Sequence, residues 1–391
     1  MVTSATTALR PLDDLLIVEV GNTIATAYAG QLLADLGARV VRVDDLAASD
    51  ALAAQEPTVG SDDATISAVW LHLNRQKESV QLDLTREAGR TVLSNLIARA
   101  DVLLDGLGVD ALANLGLPHD GLRDTNARLV LVSMTHFGLT GPYRDLHGSD
   151  LVVEALSGLL NMVGFPDREP LKLGGSQGQY ATGLSAFTGT LAALAARDRL
   201  GHGQLVDVSM IETVAFSEWK SAAYYEADGD VRYRVGNQSH WLVLEANDGY
   251  VAVVYQDDNF VGLQNMTGIE ELRDPRFAKR ADRATHADEL RDLLAPWFKE
   301  RSKLDVYHEG QSNGVPLGFV ATIDDLVNSP QYAARGFWQH VDYPGIGDAV
   351  YPGRAFHLSG VDLPSGRAPQ PGEHTAAVVA EVAGSGGEAN H

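Results

Sequence analysis

Short apolar runs alternate with segments of helical periodicity in the first third of the chain. The run LLIVEVG (15–21) is typical of a buried strand, AYAGQLLADLGA (27–38) has apolar residues at helical spacing, and VVRVD (40–44) has the pattern of a second strand. This order defines a β-α-β unit, which favours a parallel sheet with a right-handed crossover. We therefore predict an α/β fold in which an open sheet carries helices on its faces.

The same alternation continues along the chain. Further predicted elements, in order, are a strand at 80–84, a helix over 86–100, strands over 101–106 and 128–135, helices over 150–163 and 179–199, and a strand over 204–210. From about Tyr224 aromatic and turn residues become frequent, which predicts a long connection. A smaller α+β region follows, with a strand pair around Asn247-Asp248-Gly249 and helices within 258–304. The tail from Asp342 is rich in Pro and Gly, and its last residues, GSGGEANH, are expected to fray.

Composition narrows the classes of partner. The 391 residues carry a formal net charge of -22, from 52 acidic and 30 basic side chains, which argues against nucleic acid or an anionic membrane as the main partner. The absence of cysteine excludes disulfides, thiolate catalysis and Cys-ligated metals. We find neither a signal peptide nor an apolar stretch of membrane-spanning length, and we expect a cytoplasmic protein.

Several familiar signatures fail when they are tested residue by residue. The segment after the first strand, GNTIATAYAG, is not a dinucleotide-binding glycine motif, and no G-x-S-x-G sequence occurs. Gly178 and Gly183 have phosphate-loop spacing, but Leu184-Ser185 stands where that loop needs a lysine. The twelve histidines are scattered and form no His-Glu-x-x-His sequence, so we expect no metal site.

Three features remain as candidates for chemistry. The loop GGSQGQYATG (174–183) leads into a predicted helix, where backbone amides often meet an anion, although a tight turn is the more common role. His136 follows a predicted strand end, the usual place for active-site residues in open α/β sheets, or it is a hydrogen-bonded structural histidine. Lys77 lies in a polar segment, and these neighbouring residues predict a solvated lysine at the surface.

Taken together, these blocks resemble the class III coenzyme A transferases, also called the CaiB/BaiF or formyl-CoA transferase family. The resemblance spans nearly the whole chain, and the order of its blocks is more specific than any one of them. The blocks are LLIVEVGNTIATAYAGQLLADLGARVVRVD, LNRQKESVQLDL, ADVLLDGLGVDALANLGL, SMTHFGLTGPYRD, SDLVVEALSGLL, GHGQLVDVSM, RVGNQ (234–238), NDGYVAV, NGVPLGFV, SPQYAARGFW and PGEHT.

The resemblance implies an architecture that periodicity does not reveal. Family members build a large, Rossmann-like α/β domain from both chain ends and insert a smaller α+β domain between long linkers. We accordingly expect 1–222 as the N-terminal part of the large domain, 223–325 as linker and small domain, and 326–391 as return linker and C-terminal part. The resemblance also implies an interlocked homodimer, with a heterodimer containing an Asp-bearing homologue as the alternative.

The implied chemistry is attack of a carboxylate on an acyl-CoA thioester, followed by passage of the coenzyme to an acceptor acid. CoA or acyl-CoA would therefore be a substrate, and no covalently bound cofactor is implied. The family's nucleophile belongs to an Asp-Tyr/Phe-x-x-Gly pattern, which reads Gln179-Tyr180-Ala181-Thr182-Gly183 in this chain. Because an amide is a very poor nucleophile, Gln179 is expected to orient substrate or polarise a carbonyl instead. His136 replaces a glycine of the family's S-G-F-G turn and is a candidate acid–base group.

Positions that bind substrate or CoA are also carried over from the family. They are Ile24, Ala25, Arg42, Asn74, Lys77, Gly108, Gly174, Gly175 and Tyr180. Several neighbouring positions depart from the family pattern, and Asp110 brings a charge of the wrong sign for a phosphate-rich ligand. The related racemases use a histidine where this chain has Ser149, so conventional racemisation is disfavoured.

Three hypotheses follow. The first is an enzyme that acts on a CoA thioester or a related carboxylic acid without the covalent aspartyl step. The second is a non-catalytic subunit that pairs with an Asp-bearing homologue. The third is a family member that no longer binds CoA and holds a different ligand in the inherited cleft.

Overall fold

A computed structural model describes residues 10–48, 52–61, 64–234, 240–344, 346–361, 363 and 365–384. The chain divides into two compact units. The larger comprises 1–163, 170–232 and 337–391, and the smaller comprises 164–169 and 233–336. The expected boundaries, at 222/223 and 325/326, lie somewhat earlier in the chain, and composition gave no sign that 164–169 joins the smaller unit.

The strands within the described residues are numbered in chain order. They are β1 (Leu16–Val20), β2 (Arg39–Asp45), β3 (Thr58–Ser61), β4 (Ala64–Ser67), β5 (Glu78–Leu82), β6 (Val102–Asp105), β7 (Val130–Thr135), β8 (Leu205–Ser209), β9 (Trp241–Ala246), β10 (Gly249–Val254), β11 (Leu317–Phe319), β12 (Trp338–Tyr343) and β13 (Gly347–Pro352).

The helices are numbered in the same way, and two 3₁₀ turns lie at Glu270–Arg273 and Pro275–Phe277. They are α1 (Ile24–Asp35), α2 (Ala68–Leu73), α3 (Glu87–Arg99), α4 (Ala111–Asn114), α5 (His119–Thr125), α6 (Asp150–Leu156), α7 (Leu159–Met162), α8 (Gln177–Leu200), α9 (Met210–Ser217), α10 (Trp219–Asp228), α11 (Asp257–Thr267), α12 (Arg280–Thr285), α13 (Ala287–Lys299), α14 (Lys303–Ser312), α15 (Ile323–Val327), α16 (Pro330–Ala334) and α17 (Thr375–Gly384).

A six-stranded parallel sheet forms the centre of the larger unit, in the order β5-β2-β1-β6-β7-β8. On β1, for example, Val18 lies opposite Val41 of β2 and Leu103 of β6. The chain winds outward from β1 to one edge and then from β6 to the other, so the direction of winding reverses between β1 and β6. In open α/β sheets ligands bind at the carboxyl ends of the strands beside such a reversal. The predicted α/β class is confirmed.

Both faces of this sheet are covered by helices. On one face Val18 and Leu103 pack with Val378 of α17, and on the other Ile17 packs with Leu33 of α1 and Phe187 of α8. The buried strands therefore read as nearly continuous apolar runs, as parallel strands do. Helix α17, which the Pro- and Gly-rich composition of the tail does not indicate, packs against α3 and β5. Of the terminal GSGGEANH, only Gly384 lies within the described residues.

Glycines permit two close approaches that shape the larger unit. A Cβ at Gly21, which has φ +115°, would lie 2.6 Å from the carbonyl carbon of Gly106, so the ends of β1 and β6 can come together only without side chains. A Cβ at Gly183 of α8 would lie 2.6 Å from the carbonyl oxygen of Ala25 in α1. These two helices consequently pack backbone to backbone near their N-termini.

The smaller unit has its own sheet and core. Strands β9 and β10 form the predicted hairpin around Asn247-Asp248-Gly249, and β11 pairs antiparallel with β10. Leu244, Val251 and Phe298 belong to the apolar cluster beneath this sheet. The helices predicted within 258–304 are present as α11 to α13 and the start of α14, with the two 3₁₀ turns. No helix in the described part of the chain combines the length and apolar character that crossing a bilayer requires.

Candidate active site

A cavity of about 740 Å³ opens at the carboxyl ends of β1, β6, β7 and β8, beside the reversal point of the sheet. Its volume is in the range of small-molecule sites. Loops after the strands, the segment leading into α6 and the start of α8 supply the walls. The lining residues are Asn22, Thr23, Ala25, Gly106, Leu107, Gly108, Val109, Met134, Thr135, His136, Phe137, Arg144, Asp145, Leu146, His147, Gly148, Ser149, Asp150, Gln179, Thr182 and Met210.

Gln179 connects two helix starts at the wall of this cavity. Its side-chain Oε1 accepts a hydrogen bond of 3.0 Å from the backbone N–H of Ile24, the first residue of α1. Its own backbone N–H donates to Oδ1 of Asp150 at 3.1 Å. Among the described residues no hydrogen-bond partner is found for the side-chain Nε2, which is the donor end of the amide. The amide is thus fixed through its oxygen, and its two N–H hydrogens remain for a ligand.

The loop that precedes α8 is held by charge. Lys172 forms ion pairs with Asp150 at 2.8 Å and Glu154 at 3.7 Å, and both carboxylates are buried. Its ammonium also donates to the carbonyl oxygens of Leu173 and Gly175. The hydrogen bond with Asp150 raises the pKa of Lys172 above its ordinary value, so the lysine is charged at neutral pH. Without this cation two buried carboxylates would stand side by side.

The glycines of this loop lie outside the cavity in which the resemblance implies that they bind substrate. Gly174 and Gly175 are exposed and do not line the cavity, although Gly175 takes the left-handed φ of +72° that the turn requires. Their expected role in binding substrate or CoA stays a prediction. The polar side chains that line the cavity here include those of Gln179, Asp150, Ser149 and Thr182.

His136 lies at the cavity wall, one residue beyond the end of β7. Its ring packs against Gly148 so closely that a Cβ there would lie 2.5 Å from the imidazole Cγ. No hydrogen bond to its ring nitrogens is found among the described residues. Burial lowers the pKa of His136 below 6.5, and the nearby charge of Asp150 opposes that shift only in part. The imidazole is therefore neutral at pH 7 and able to donate and accept a hydrogen bond.

Arg42, Asn74 and Lys77 lie together inside the protein, away from the cavity lining. The ammonium of Lys77 donates to Oε2 of Glu19 at 2.8 Å, the carbonyl oxygen of Ala27 at 2.8 Å and Oδ1 of Asn74 at 3.1 Å. These bonds use all three ammonium donors. Burial lowers the pKa of Lys77 to about 8, so it remains charged at pH 7. Far from being a solvated surface lysine, Lys77 is a buried structural cation.

Arg42 completes this buried network. Its guanidinium pairs with Glu19 at 3.1 Å and Asp44 at 2.7 Å and lies over the ring of Trp70. Binding of CoA by any of the three network residues would require these contacts to open. Their role in CoA binding stays a prediction, and their structural role follows from the contacts.

Of the remaining residues expected at the site, some line the cavity and others do not. Ala25 and Gly108 line the cavity. Ile24 contributes its backbone N–H to Gln179, while its side chain is buried. Tyr180 does not line the cavity, and its ring packs edge-on against Tyr28, with ring centroids 5.1 Å apart.

Sequence reasoning missed three charged residues at the site. Asp150 and Lys172 bracket the start of α8, and Arg144 lies on the cavity wall. A signal existed for Asp150, because Ser149-Asp150 has the pattern of a helix start, and the Ser149 side chain caps α6. The described residues contain no group of three or more His, Asp or Glu side chains able to hold a metal ion.

Comparison with known proteins identifies the class to which this fold and cavity belong. The chain matches CoA-transferase family III over residues 12–375. It is 32% identical over 384 residues to the succinate–glutarate CoA-transferase of Agrobacterium fabrum, which covers 95% of this chain and 96% of that protein. A subunit of the succinyl-CoA:(R)-benzylsuccinate CoA-transferase of Thauera aromatica is 32% identical over 371 residues, with 90% of each chain covered.

A solved structure has the same fold over most of the chain. The crystal structure of a CaiB/BaiF family protein from Brucella suis aligns with a TM-score of 0.87 at 32% identity, covering 95% of this chain and 99% of the other. The chain belongs to CoA-transferase family III. The resemblance is thereby confirmed, and membership supports an activity on acyl-CoA thioesters and carboxylic acids.

Proposed function

We propose that the protein moves CoA from an acyl-CoA to a free carboxylic acid without forming an enzyme-bound aspartyl-CoA. The acceptor carboxylate attacks the thioester carbonyl carbon, the C–S bond breaks, and a mixed anhydride and CoA thiolate result. The thiolate then attacks the acceptor's carbonyl carbon of the anhydride, which releases the donor acid and leaves the acceptor as its CoA thioester. Every atom is accounted for by the two substrates, and no side chain changes its covalent state.

The observation that carries this proposal is the orientation of Gln179. Its oxygen is bound to the Ile24 N–H, so its Nε2 is the end of the amide available to substrate. An N–H donor stabilises the negative charge that develops on a thioester oxygen during attack. The same amide cannot replace a carboxylate as nucleophile, so we assign attack to the acceptor acid itself. Binding both substrates together would supply the proximity that a covalent intermediate otherwise provides.

His136 has a supporting role in this scheme. Its neutral imidazole lines the cavity and can donate a hydrogen bond to the departing thiolate. That hydrogen bond stabilises the thiolate until it attacks the anhydride. Asp150 holds the backbone of Gln179 in place and is itself held by Lys172, so we regard both as positioning residues.

The experiment is a transfer assay combined with intact-protein mass measurement. Purified chain is incubated with succinyl-CoA and glutarate, chosen because a relative carries those two acids in its name. We expect glutaryl-CoA to form while the protein mass stays unchanged after rapid acid quenching. A hydroxylamine-sensitive protein–CoA adduct in the wild-type chain would contradict the mechanism. Absence of CoA binding by calorimetry at millimolar ligand would favour a repurposed cleft.

A second candidate function is that of a non-catalytic subunit beside an Asp-bearing homologue. One observation favours it, because the Thauera aromatica relative is named as a subunit of its transferase. Co-expression with such a homologue distinguishes the two candidates. A stable heteromer that transfers CoA, together with an isolated chain that does not, would support the subunit role. Otherwise we expect the chain to act as a homodimer, as the family resemblance implies.

A further inference from the structure

Arg144 lies on the wall of the cavity, where its side chain connects the loop after β6 with the loop after β7. Its Nη2 donates to both carboxylate oxygens of Asp110, at 3.0 and 2.9 Å, and its Nε donates to the carbonyl oxygen of Leu139 at 3.0 Å. A looser ion pair of 3.4 Å joins Nη1 to Asp145. The guanidinium thus holds the loop after β6 against the loop after β7.

Arg144 brings positive charge to a cavity wall that otherwise carries aspartates. Among the described residues that line it, Arg144 is the only arginine or lysine, whereas Asp145 and Asp150 bring negative charge. Lys172, the other nearby cation, is outside the lining and already pairs with Asp150 and Glu154. An acid that entered this cavity would therefore find one guanidinium able to receive a carboxylate.

Asp110 offers Arg144 the same chemical group that such a substrate would bring. Its side chain is 61% exposed, and ion pairs at that exposure are weak because water competes for both partners. Its backbone takes a left-handed φ of 60°, which aspartate tolerates better than most residues do. The side chain caps no helix N–H, since α4 begins without a side-chain capping bond. The hydrogen bonds found for this side chain among the described residues are those with Arg144.

We propose that Arg144 receives the carboxylate of a dicarboxylic acid that is remote from the reacting carboxylate, and that Asp110 holds the guanidinium until substrate replaces it. This inference rests on the proposed function, because it assumes that the other carboxylate reacts beside Gln179. The acids named for the two curated relatives, succinate, glutarate and benzylsuccinate, all carry two carboxylates. It also gives a role to Asp110, whose charge opposes CoA binding if it stands alone.

The exchange has a structural consequence. When the substrate carboxylate takes the guanidinium, the Arg144–Asp110 pair breaks and the loop after β6 is released from the loop after β7. Only an acid with a second carboxylate can make this exchange while its first carboxylate lies at the reaction centre. Arg144 would then set the preference for dicarboxylic over monocarboxylic acids.

Calorimetric titrations in the presence of CoA test the proposal, with succinate and its monoamide, succinamate, as probes. We expect the wild-type chain to prefer succinate, Arg144→Gln to lose roughly tenfold of that preference, and Arg144→Lys to retain part of it. Asp110→Asn should bind succinate roughly two- to fivefold more tightly, because its competitor for Arg144 is gone. Asp124→Asn, which removes the same charge from an exposed residue outside the cavity lining, serves as the control and should match the wild type.

Two results would overturn the inference. The first is an Arg144→Gln protein, folded by its thermal unfolding curve, that keeps the wild-type ratio of succinate to succinamate affinity. The second is weaker succinate binding by Asp110→Asn. Wild-type transfer of CoA to glutarate combined with either result would reject the role of Arg144 and leave the proposed function standing. If the wild type fails to transfer CoA while the Arg144 effects persist, the proposed function is rejected and the role of Arg144 in binding the acid stands.

Discussion

The side-chain oxygen of Gln179 accepts a hydrogen bond from the backbone N–H of Ile24, and this bond ties the start of α8 to the start of α1. The N–H groups at a helix start have no partner within the helix. Gln179 satisfies one of them from a different helix, and the bond decides which end of its amide faces the cavity. A residue that looks inert in the sequence is consequently an oriented hydrogen-bond donor.

Gln179→Ala should lower the rate of CoA transfer by about 10²–10³-fold, the usual effect of removing one donor to a developing oxyanion. Gln177→Ala is the matched control. Gln177 begins the same helix, but it is exposed and its amide donates to the carbonyl oxygen of Gly174 outside the cavity. Steady-state assays with succinyl-CoA and glutarate measure both variants.

Gln179→Asp tests whether the nucleophile alone is missing. We expect no efficient covalent transferase, because a carboxylate there would lie beside the buried negative charge of Asp150 and because the surrounding loops differ from the family pattern. A hydroxylamine-sensitive CoA adduct in this variant, with transfer restored above the wild-type rate, would show that the cavity had kept the ancestral chemistry.

Gly183→Ala should separate the two helices at their closest contact. A Cβ there would lie 2.6 Å from the carbonyl oxygen of Ala25, so we expect a loss of about 1–3 kcal/mol in unfolding free energy and a weakened Gln179–Ile24 bond. Gly189→Ala is the control in the same helix, because its Cβ would meet only a methyl group of Val206, at 2.8 Å. Urea unfolding and transfer assays should show lost activity for Gly183→Ala alone.

Part of this molecule can be predicted from the sequence. The apolar runs at 15–21 and 40–44 predict β1 and β2 because parallel strands are buried on both faces. The helix predicted over 150–163 is in fact divided, since Gly158 takes a left-handed φ of 88° between α6 and α7. The hairpin of β12 and β13 was also missed, because its strands contain few consecutive apolar residues.

The candidate site was harder to predict than the fold. The polar segment around Lys77 predicts that this lysine lies at the surface. In the structure it is buried, and its ammonium donates to Glu19 and to the carbonyl oxygen of Ala27, which are distant in sequence. Asp110 looks like an unfavourable charge until the structure places Arg144 against it. Pairings of this kind depend on how loops from separate strands meet, and a single sequence contains no record of them.

His136 should control the acidic limb of the pH profile. Because burial lowers its pKa below 6.5, the neutral imidazole present at pH 7 becomes protonated only as the pH falls below that value. We expect kcat/KM to rise as the pH falls below neutrality, because the protonated imidazole is the stronger hydrogen-bond donor to the departing thiolate. His136→Gln, which keeps an N–H donor that does not titrate, should lose this rise. His202→Gln, whose imidazole contacts the Gly203 carbonyl outside the cavity, should keep the wild-type profile. An unchanged pH profile in His136→Gln would assign His136 a structural role.

Lys77→Met should destabilise the fold by about 3–5 kcal/mol, because it leaves Glu19 buried with one cationic partner instead of two. Lys299→Met is the control, since that lysine forms an exposed ion pair with Glu245, and such pairs contribute about 0–1 kcal/mol. Chemical unfolding measures both.

Calorimetric titration with CoA then distinguishes the structural role of Lys77 from the binding role that the family resemblance implies. If folded Lys77→Met protein, assayed well below its unfolding temperature, binds CoA as the wild type does, the residue acts through the buried network. A selective loss of CoA affinity with little loss of stability would instead mean that the network opens to admit the ligand.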